Sequence, residues 1–118
     1  YVKYLEMARC QFLEEIGYTY DVMRKQGFGW PIVQLNIKYV NPALFRQKIR
    51  IELKVVEYET CLRIDYVIFD AKTNQKLTTA STTQVAVSMQ TREMQLQTPP
   101  CWQSAVKTHP TFVSEGNE

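Results

Sequence analysis

The residue types that usually build metal and redox sites are scarce in this chain of 118 residues. The chain holds one histidine, His109, and three widely spaced cysteines, Cys10, Cys61 and Cys101, with no CxxC pair. An odd, dispersed set of cysteines argues against a disulfide framework and against a structural zinc site. We therefore expect free thiols, no bound metal and a cytoplasmic protein. His109 precedes a proline in a segment without periodicity, which is a poor setting for a catalytic histidine.

Long apolar runs and the common nucleotide and nucleophile motifs are also absent from the sequence. No run reaches the ~18 apolar residues that span a bilayer, so no membrane span is expected. The absence of GxSxG, Walker and GxGxxG patterns excludes serine hydrolases with that elbow, P-loop enzymes and Rossmann oxidoreductases. The net charge is only +2, and basic residues alternate with glutamates instead of forming a stripe. Neither nucleic acid nor a cofactor is therefore expected as a partner.

The N-terminal third of the chain is helical in its pattern. Apolar residues recur at spacings of three and four over the first sixteen positions, which predicts one long amphipathic helix. Gly17 follows at the position where a left-handed residue ends a helix. Residues 20–26 predict a second, short helix, after which Gly27, Gly29 and Pro31 turn the chain.

From position 32 onward the apolar period changes to two, which is typical of half-buried strands. Four strands are predicted, at residues 32–39, 48–55, 62–68 and 77–90. The adjacent pair Val55 and Val56 predicts a bulge at the end of the second strand. Sequential antiparallel strands after one long helix indicate an α+β fold, in which a curved antiparallel sheet wraps around the helix. We assign residues 1–90 to this domain and residues 91–118 to a C-terminal extension that is at least partly irregular.

Three segments together resemble a known family. Residues 1–9 (YVKYLEMAR), residues 35–45 (LNIKYVNPALF) and the turn at 70–76 before a long strand are similar to segments of hotdog-fold acyl-CoA thioesterases of the 4-hydroxybenzoyl-CoA thioesterase type. The resemblance extends over about residues 1–90. It implies a hotdog fold and a homo-oligomer, either a dimer or a dimer of dimers (a homotetramer), with active sites between subunits.

The resemblance also implies a reaction, the hydrolysis of an acyl-CoA thioester to a free acid and CoA. In this family a catalytic aspartate lies in a loop before the helix, so the first strand, that loop and the aspartate are expected upstream of Tyr1. The backbone amides of Tyr1 and Val2 are the candidate donors to the oxyanion. Glu6 is the only carboxylate in the first two helical turns. It is either a catalytic residue or a structural one, in a helical ion pair with Arg9 or in a contact between subunits.

Two groups of residues are candidates for binding the substrate. Tyr1 and Tyr4 either line the acyl pocket or pack in the core. Lys38, Arg46 and Lys48 either meet the phosphates of CoA or form a solvated strand face.

Two other functions stay open at this point. A hotdog module without catalytic residues would bind an acyl group or a protein partner. A hotdog dehydratase would need a histidine and a positioned acid upstream of Tyr1. The residues that precede Tyr1 would discriminate among these possibilities.

Overall fold

A computed structural model describes residues 2–41, 48–95, 98, 102–103, 106 and 111–117. Helix α1 covers Val2–Glu15 and helix α2 covers Tyr20–Lys25. Gly17 adopts a φ of +73°, and the amide of Tyr18 reaches back to the carbonyl of Leu13 at 2.9 Å. Both helices and the glycine stop are therefore as the sequence predicted, because a residue without Cβ adopts this backbone conformation without strain.

In the described part of the chain, seven strands follow these helices. They are β1 (Phe28–Gly29), β2 (Ile32–Tyr39), β3 (Lys48–Glu57), β4 (Leu62–Asp70), β5 (Lys76–Gln84), β6 (Val87–Ser88) and β7 (Thr111–Asn117). Five of them form one sheet in the order β2-β5-β4-β3-β7, with every neighbouring pair antiparallel. Strands β1 and β6 form a separate two-stranded ribbon. The α+β class predicted from the change of period is confirmed.

The last predicted strand, 77–90, is divided in the structure. Strand β5 ends at Gln84, where the amide of Val85 donates to the carbonyl of Pro31 at 3.3 Å. Two residues further on, the chain pairs with β1 as strand β6. The alternation of apolar residues continues through the break, so the pattern could not show that the chain changes partners there.

Strand β7 was not predicted at all. It pairs with β3 along its length, from Lys48 opposite Asn117 to Lys54 opposite Thr111. Its polar composition is a weak strand signal, and only the free edge of β3 provides partners for its backbone amides and carbonyls. This strand lies within the segment that the sequence assigned to the C-terminal extension.

Helix α1 packs on one side of the five-stranded sheet, which we call the inner face. The buried core combines Leu5, Ala8, Phe12 and Leu13 of α1 with Ile51, Leu53, Ile64, Tyr66 and Ile68 of the sheet. The predicted bulge is present, because the pairing of β3 with β4 shifts between Val55 and Glu57. Val55 consequently stays in the core while Val56 faces solvent.

Residues beyond the strand region also belong to this core. Trp102 is fully buried, with ring centroids 5.2 Å from Tyr18 and 5.3 Å from Trp30. Phe112 of β7 lies 6.2 Å from Phe12 of α1. The C-terminal part of the chain therefore covers the end of α1 with aromatic side chains, which contribute large buried apolar areas.

Candidate functional site

The start of α1 lies at one defined end of the sheet. Shortly after α1, the Tyr20 hydroxyl accepts a hydrogen bond from Gln84, the last residue of β5, at 3.2 Å. Midway along α1, Arg9 interacts with Tyr66 in the middle of β4. The helix therefore begins towards the opposite end, where residues 71–75 join β4 to β5 in a turn. We call this the hairpin end of the sheet.

Beside the helix, the inner face of the edge strand β2 is left uncovered. Leu35, Ile37 and Tyr39 stand opposite Thr82, Ala80 and Thr78 of β5, all of which are buried, so the three side chains share the helix side of the sheet. Yet Leu35 is 41% exposed and Tyr39 is 66% exposed. Within the part of the chain that the structure describes, no strand pairs with the other edge of β2. An apolar strip and an edge strand with one described neighbour thus border the same opening.

The predicted oxyanion donors fall at the helix start. Helix α1 begins at Val2 and has no acidic residue in its first turn, so a negative side chain there does not offset the positive end of its dipole. Tyr1 lies outside the described residues. Tyr4 is half-buried against the core.

The expected ion pair between Glu6 and Arg9 does not form. Glu6 is exposed, whereas Arg9 is only 6% exposed and points into the core. The Nε of Arg9 donates to the Tyr20 hydroxyl at 2.8 Å. The two residues are only three positions apart, but the Arg9 side chain turns towards the sheet and Tyr20, while the Glu6 side chain points to solvent. Glu6 is left with no ion pair among the described residues.

Sequence reasoning missed a buried polar network around Arg9. Gln84 donates to Tyr20 at 3.2 Å and to the carbonyl of Trp30 at 2.8 Å, and the hydroxyls of Tyr66 and Thr82 lie 2.8 Å apart. Burial raises the pKa of the Tyr66 hydroxyl above its ordinary value. Burial opposes the charge of Arg9, but the nearby tyrosines outweigh it, so the pKa of Arg9 is raised. The network connects α1 and α2 to the sheet. The one feature of the sequence that could have predicted it is an arginine on an otherwise apolar face of the helix.

The candidate phosphate ligands lie on the other side of the sheet, which we call the outer face. Lys38 stands opposite Thr79, and Lys48 precedes the inward-facing Ile49; both lysines are exposed. Arg46 lies outside the described residues. The structure therefore brings Lys38 and Lys48 to the outer face but separates them from the apolar strip of β2.

The described residues contain no group of three or more histidine, cysteine, aspartate or glutamate side chains arranged to hold a metal. Cys10 and Cys61 are free thiols, and Cys101 lies outside the described residues. Partial burial raises the pKa of the Cys10 thiol, which disfavours the reactive thiolate. In the part of the chain that is described, helices are too short or too polar to cross a membrane.

Comparison with known proteins decides the family. Residues 1–113 match the model of the thioesterase-like superfamily. The chain belongs to this superfamily. No curated protein matches the sequence significantly.

Several solved structures share the fold, and the hotdog architecture implied by the resemblance is confirmed. A DHNA-CoA thioesterase from Staphylococcus aureus is 26% identical, with a TM-score of 0.79 over 92% of this chain and 74% of that chain. A 1,4-dihydroxy-2-naphthoyl-CoA thioesterase from Synechocystis is 21% identical, with a TM-score of 0.76 over 92% and 80% of the two chains. A Staphylococcus aureus protein solved in complex with CoA is 10% identical, with a TM-score of 0.82 over 92% and 68%.

Proposed function

We propose that this protein is an acyl-CoA thioesterase that hydrolyses its substrate to a free acid and CoA. The observation that carries the proposal is the exposed apolar strip of Leu35 and Tyr39, with the half-buried Ile37 between them, on the inner face of β2, beside a helix whose start is free of acidic residues. An apolar surface next to a group of oriented amides suits an acyl chain that ends in a polarised carbonyl. Membership of the thioesterase-like superfamily supports the same reaction.

The proposed chemistry needs a carboxylate, a water molecule and donors for the oxyanion. The carboxylate takes a proton from water as the oxygen attacks the thioester carbonyl, and the negative charge that develops on the carbonyl oxygen is stabilised by amides at the start of α1, including that of Val2. When the tetrahedral intermediate collapses, the carbon–sulfur bond breaks and the CoA thiolate takes up a proton. By resemblance to the family, we assign the carboxylate to an aspartate upstream of Tyr1.

The proposed active unit is a homodimer, formed where β2 is open. Edge strands with unpaired backbone groups commonly pair with a second copy. A second copy of β2 paired edge to edge would satisfy those groups and cover Leu35 and Tyr39, which together are too apolar for a stable solvent-facing edge. The acyl group would then lie between the two subunits, with Tyr4 as a candidate lining residue. A dimer of dimers is compatible with this arrangement.

A thiol-release assay on the full-length protein tests the reaction. Aromatic and aliphatic acyl-CoAs are supplied in parallel, and we expect turnover of at least one of them. If no acyl-CoA releases thiol at enzyme concentrations where a known thioesterase turns over readily, the alternative function, a hotdog module that binds without catalysis, replaces the proposal.

A pair of variants on α1 tests the role of Glu6. Glu6→Gln is expected to retain activity, because Glu6 is exposed and the proposal places the base upstream. Glu14→Gln is the matched control, since it removes another exposed carboxylate from the same helix. A loss of about 100-fold or more in Glu6→Gln alone would move the general base to Glu6.

A further inference from the structure

The outer face of the sheet carries an ordered polar array across three strands. Asn36 stands opposite Ser81, and Ser81 stands opposite Asp65, so an amide, a hydroxyl and a carboxylate follow one another in a single row. Adjacent strands are about 4.8 Å apart, which sets the spacing of the row. The neighbouring row towards the hairpin end contains Lys38, Thr79 and Val67.

These rows line a trough in the outer face. Its volume is about 420 Å³, and the residues that line it include Asn36, Lys38, Asp65, Val67, Thr79 and Ser81. A second cavity of about 410 Å³ shares Asn36, Asp65 and Ser81 with it. Cavities that bind small molecules generally measure ~300–1,000 Å³, so the trough is large enough for a nucleoside.

Cations gather where the trough meets the hairpin end. The amide of Ala71 donates to the carbonyl of Lys48 at 3.0 Å, which places Lys48 beside the turn. Lys76 stands opposite Phe69, and the guanidinium of Arg50 lies 4.7 Å from the centroid of that same ring. Lys72 belongs to the turn itself, and Lys38 lies along β2 from it.

Carboxylates also lie near these cations. Arg50 pairs with Glu52 at 2.9 Å, and the carboxylate of Asp70 accepts the amide of Lys72 at 2.8 Å in the turn. The two ion pairs found among the described residues join Arg24 to Asp21 and Arg50 to Glu52. Five cations, Lys38, Lys48, Arg50, Lys72 and Lys76, lie at or near this end, and the carboxylates close to them include Glu52, Asp70 and, in the trough itself, Asp65.

We propose that the trough and the adjacent lysines bind a phosphorylated adenine nucleoside. The phosphates meet Lys38, which lines the trough, and Lys76 on the neighbouring strand, which lies between the trough and the turn, with Lys48 and Lys72 adding to the positive field. The nucleoside lies over the row of Asn36, Ser81 and Asp65, where the carboxylate accepts a hydrogen bond from a sugar hydroxyl or a base amino group. Val67 offers an apolar contact to the base.

The inference rests on the proposed function, because CoA ends in such a nucleoside. The hairpin end is also where α1 begins, so the flexible arm of CoA would pass around this end of the sheet from the outer trough to the thioester site. Lys76 was not a candidate in the sequence analysis. In this proposal it favours acyl-CoA over acyl thioesters that lack the nucleotide.

Titration with adenosine 3′,5′-bisphosphate, followed by calorimetry, tests the site without any reaction. The full-length wild-type protein is expected to bind it, and the double variant Lys38→Gln/Lys76→Gln is expected to bind about tenfold or more weakly. The control Lys25→Gln/Arg92→Gln removes two exposed cations from other surfaces and is expected to bind as the wild type does. Equal weakening in both variants, or no binding by the wild type, overturns the proposal.

A second readout separates this site from the reaction and from an interface. In the Lys38→Gln/Lys76→Gln variant, the ratio of the KM for acyl-CoA to the KM for the matching acyl-pantetheine is expected to rise about tenfold, since the latter lacks the nucleotide. Bisphosphate binding without hydrolysis of either substrate would defeat the proposed function and leave the site standing. A change of oligomeric state in this variant, with bisphosphate binding unaltered, would show that the outer face is a contact between copies and would overturn the site.

Discussion

Strands β4 and β2 belong to one antiparallel sheet and show the same alternation of apolar and polar residues, yet their inner faces differ in exposure. On β4, Ile64 and Ile68 are completely buried. On β2, Leu35 and Tyr39 face the same side of the sheet and stay largely exposed. Helix α1 covers the first set and does not extend over the second.

The difference shows that the alternation of apolar and polar residues in a strand does not predict which part of the protein, if any, covers its apolar face. The hydrophobic stabilisation of β4 is realised inside the chain, whereas that of β2 requires an outside partner or ligand. At the opposite edge of the sheet, β7 pairs with β3 and places Phe112 against Phe12 of α1, whereas Leu35 and Tyr39 on the inner face of β2 stay exposed. The following variants test this contrast.

The largest loss of stability is expected for Trp102→Ala. The fully buried indole packs against Tyr18 and Trp30, so its removal leaves a large cavity and should cost about 3–5 kcal/mol in the free energy of unfolding. Urea denaturation followed by circular dichroism measures it. A loss below about 1 kcal/mol would mean that the C-terminal part does not hold the covered side together.

Ile64→Ala is expected to cost about 2–5 kcal/mol, because the side chain is fully buried under α1. Chemical denaturation at low protein concentration provides the measurement. Val67→Ala, on the outer face of the same strand, is the matched control and should cost clearly less, since its side chain is only partly buried.

Tyr66→Phe is expected to cost about 1 kcal/mol at neutral pH, because the Thr82 hydroxyl loses a buried partner. It should also change the response to alkali. Burial raises the pKa of Tyr66 in the folded protein, so the folded state holds this proton more tightly than the unfolded chain does. The corresponding stability is complete below the ordinary tyrosine pKa of about 10 and is lost as the pH rises above it.

Thermal unfolding between pH 8 and pH 11 measures this effect. The Tm of the wild type should fall more steeply above pH 10 than that of Tyr66→Phe. Parallel curves for the two proteins would show that another group governs the alkaline transition.

The smallest effect on the stability of a single chain is expected for Leu35→Ala, below about 1 kcal/mol, because 41% of this side chain is exposed. The same change should weaken self-association, which analytical ultracentrifugation over a range of concentrations detects. If Leu35→Ala lowered the free energy of unfolding of the monomer as much as Ile64→Ala does, β2 would be covered within its own chain. The contrast between the two strands would then disappear.

The helix ends, strands β2 to β4 and the bulge were predictable because they depend on local chemistry. Gly17 stops α1 because of its freedom to adopt a positive φ, and the Val55–Val56 pair marks the shift of register in β3. The pairing of β7 with β3 was not predictable, because its partner lies some sixty residues earlier in the chain. For the candidate site, the sequence nominated Lys38 and Lys48 but not Lys76, whose position depends on the registry of three strands.

The order of periods along the chain was enough to determine one long helix and an antiparallel sheet, since each element forms from neighbouring residues. Three features were decided only in the tertiary structure. They are the burial of the Arg9 side chain against the sheet, the absence of an ion pair between Arg9 and Glu6, and the exposure of the inner face of β2. These depend on how much of the sheet a helix of this length can cover, and that is a property of the packed molecule rather than of any single segment.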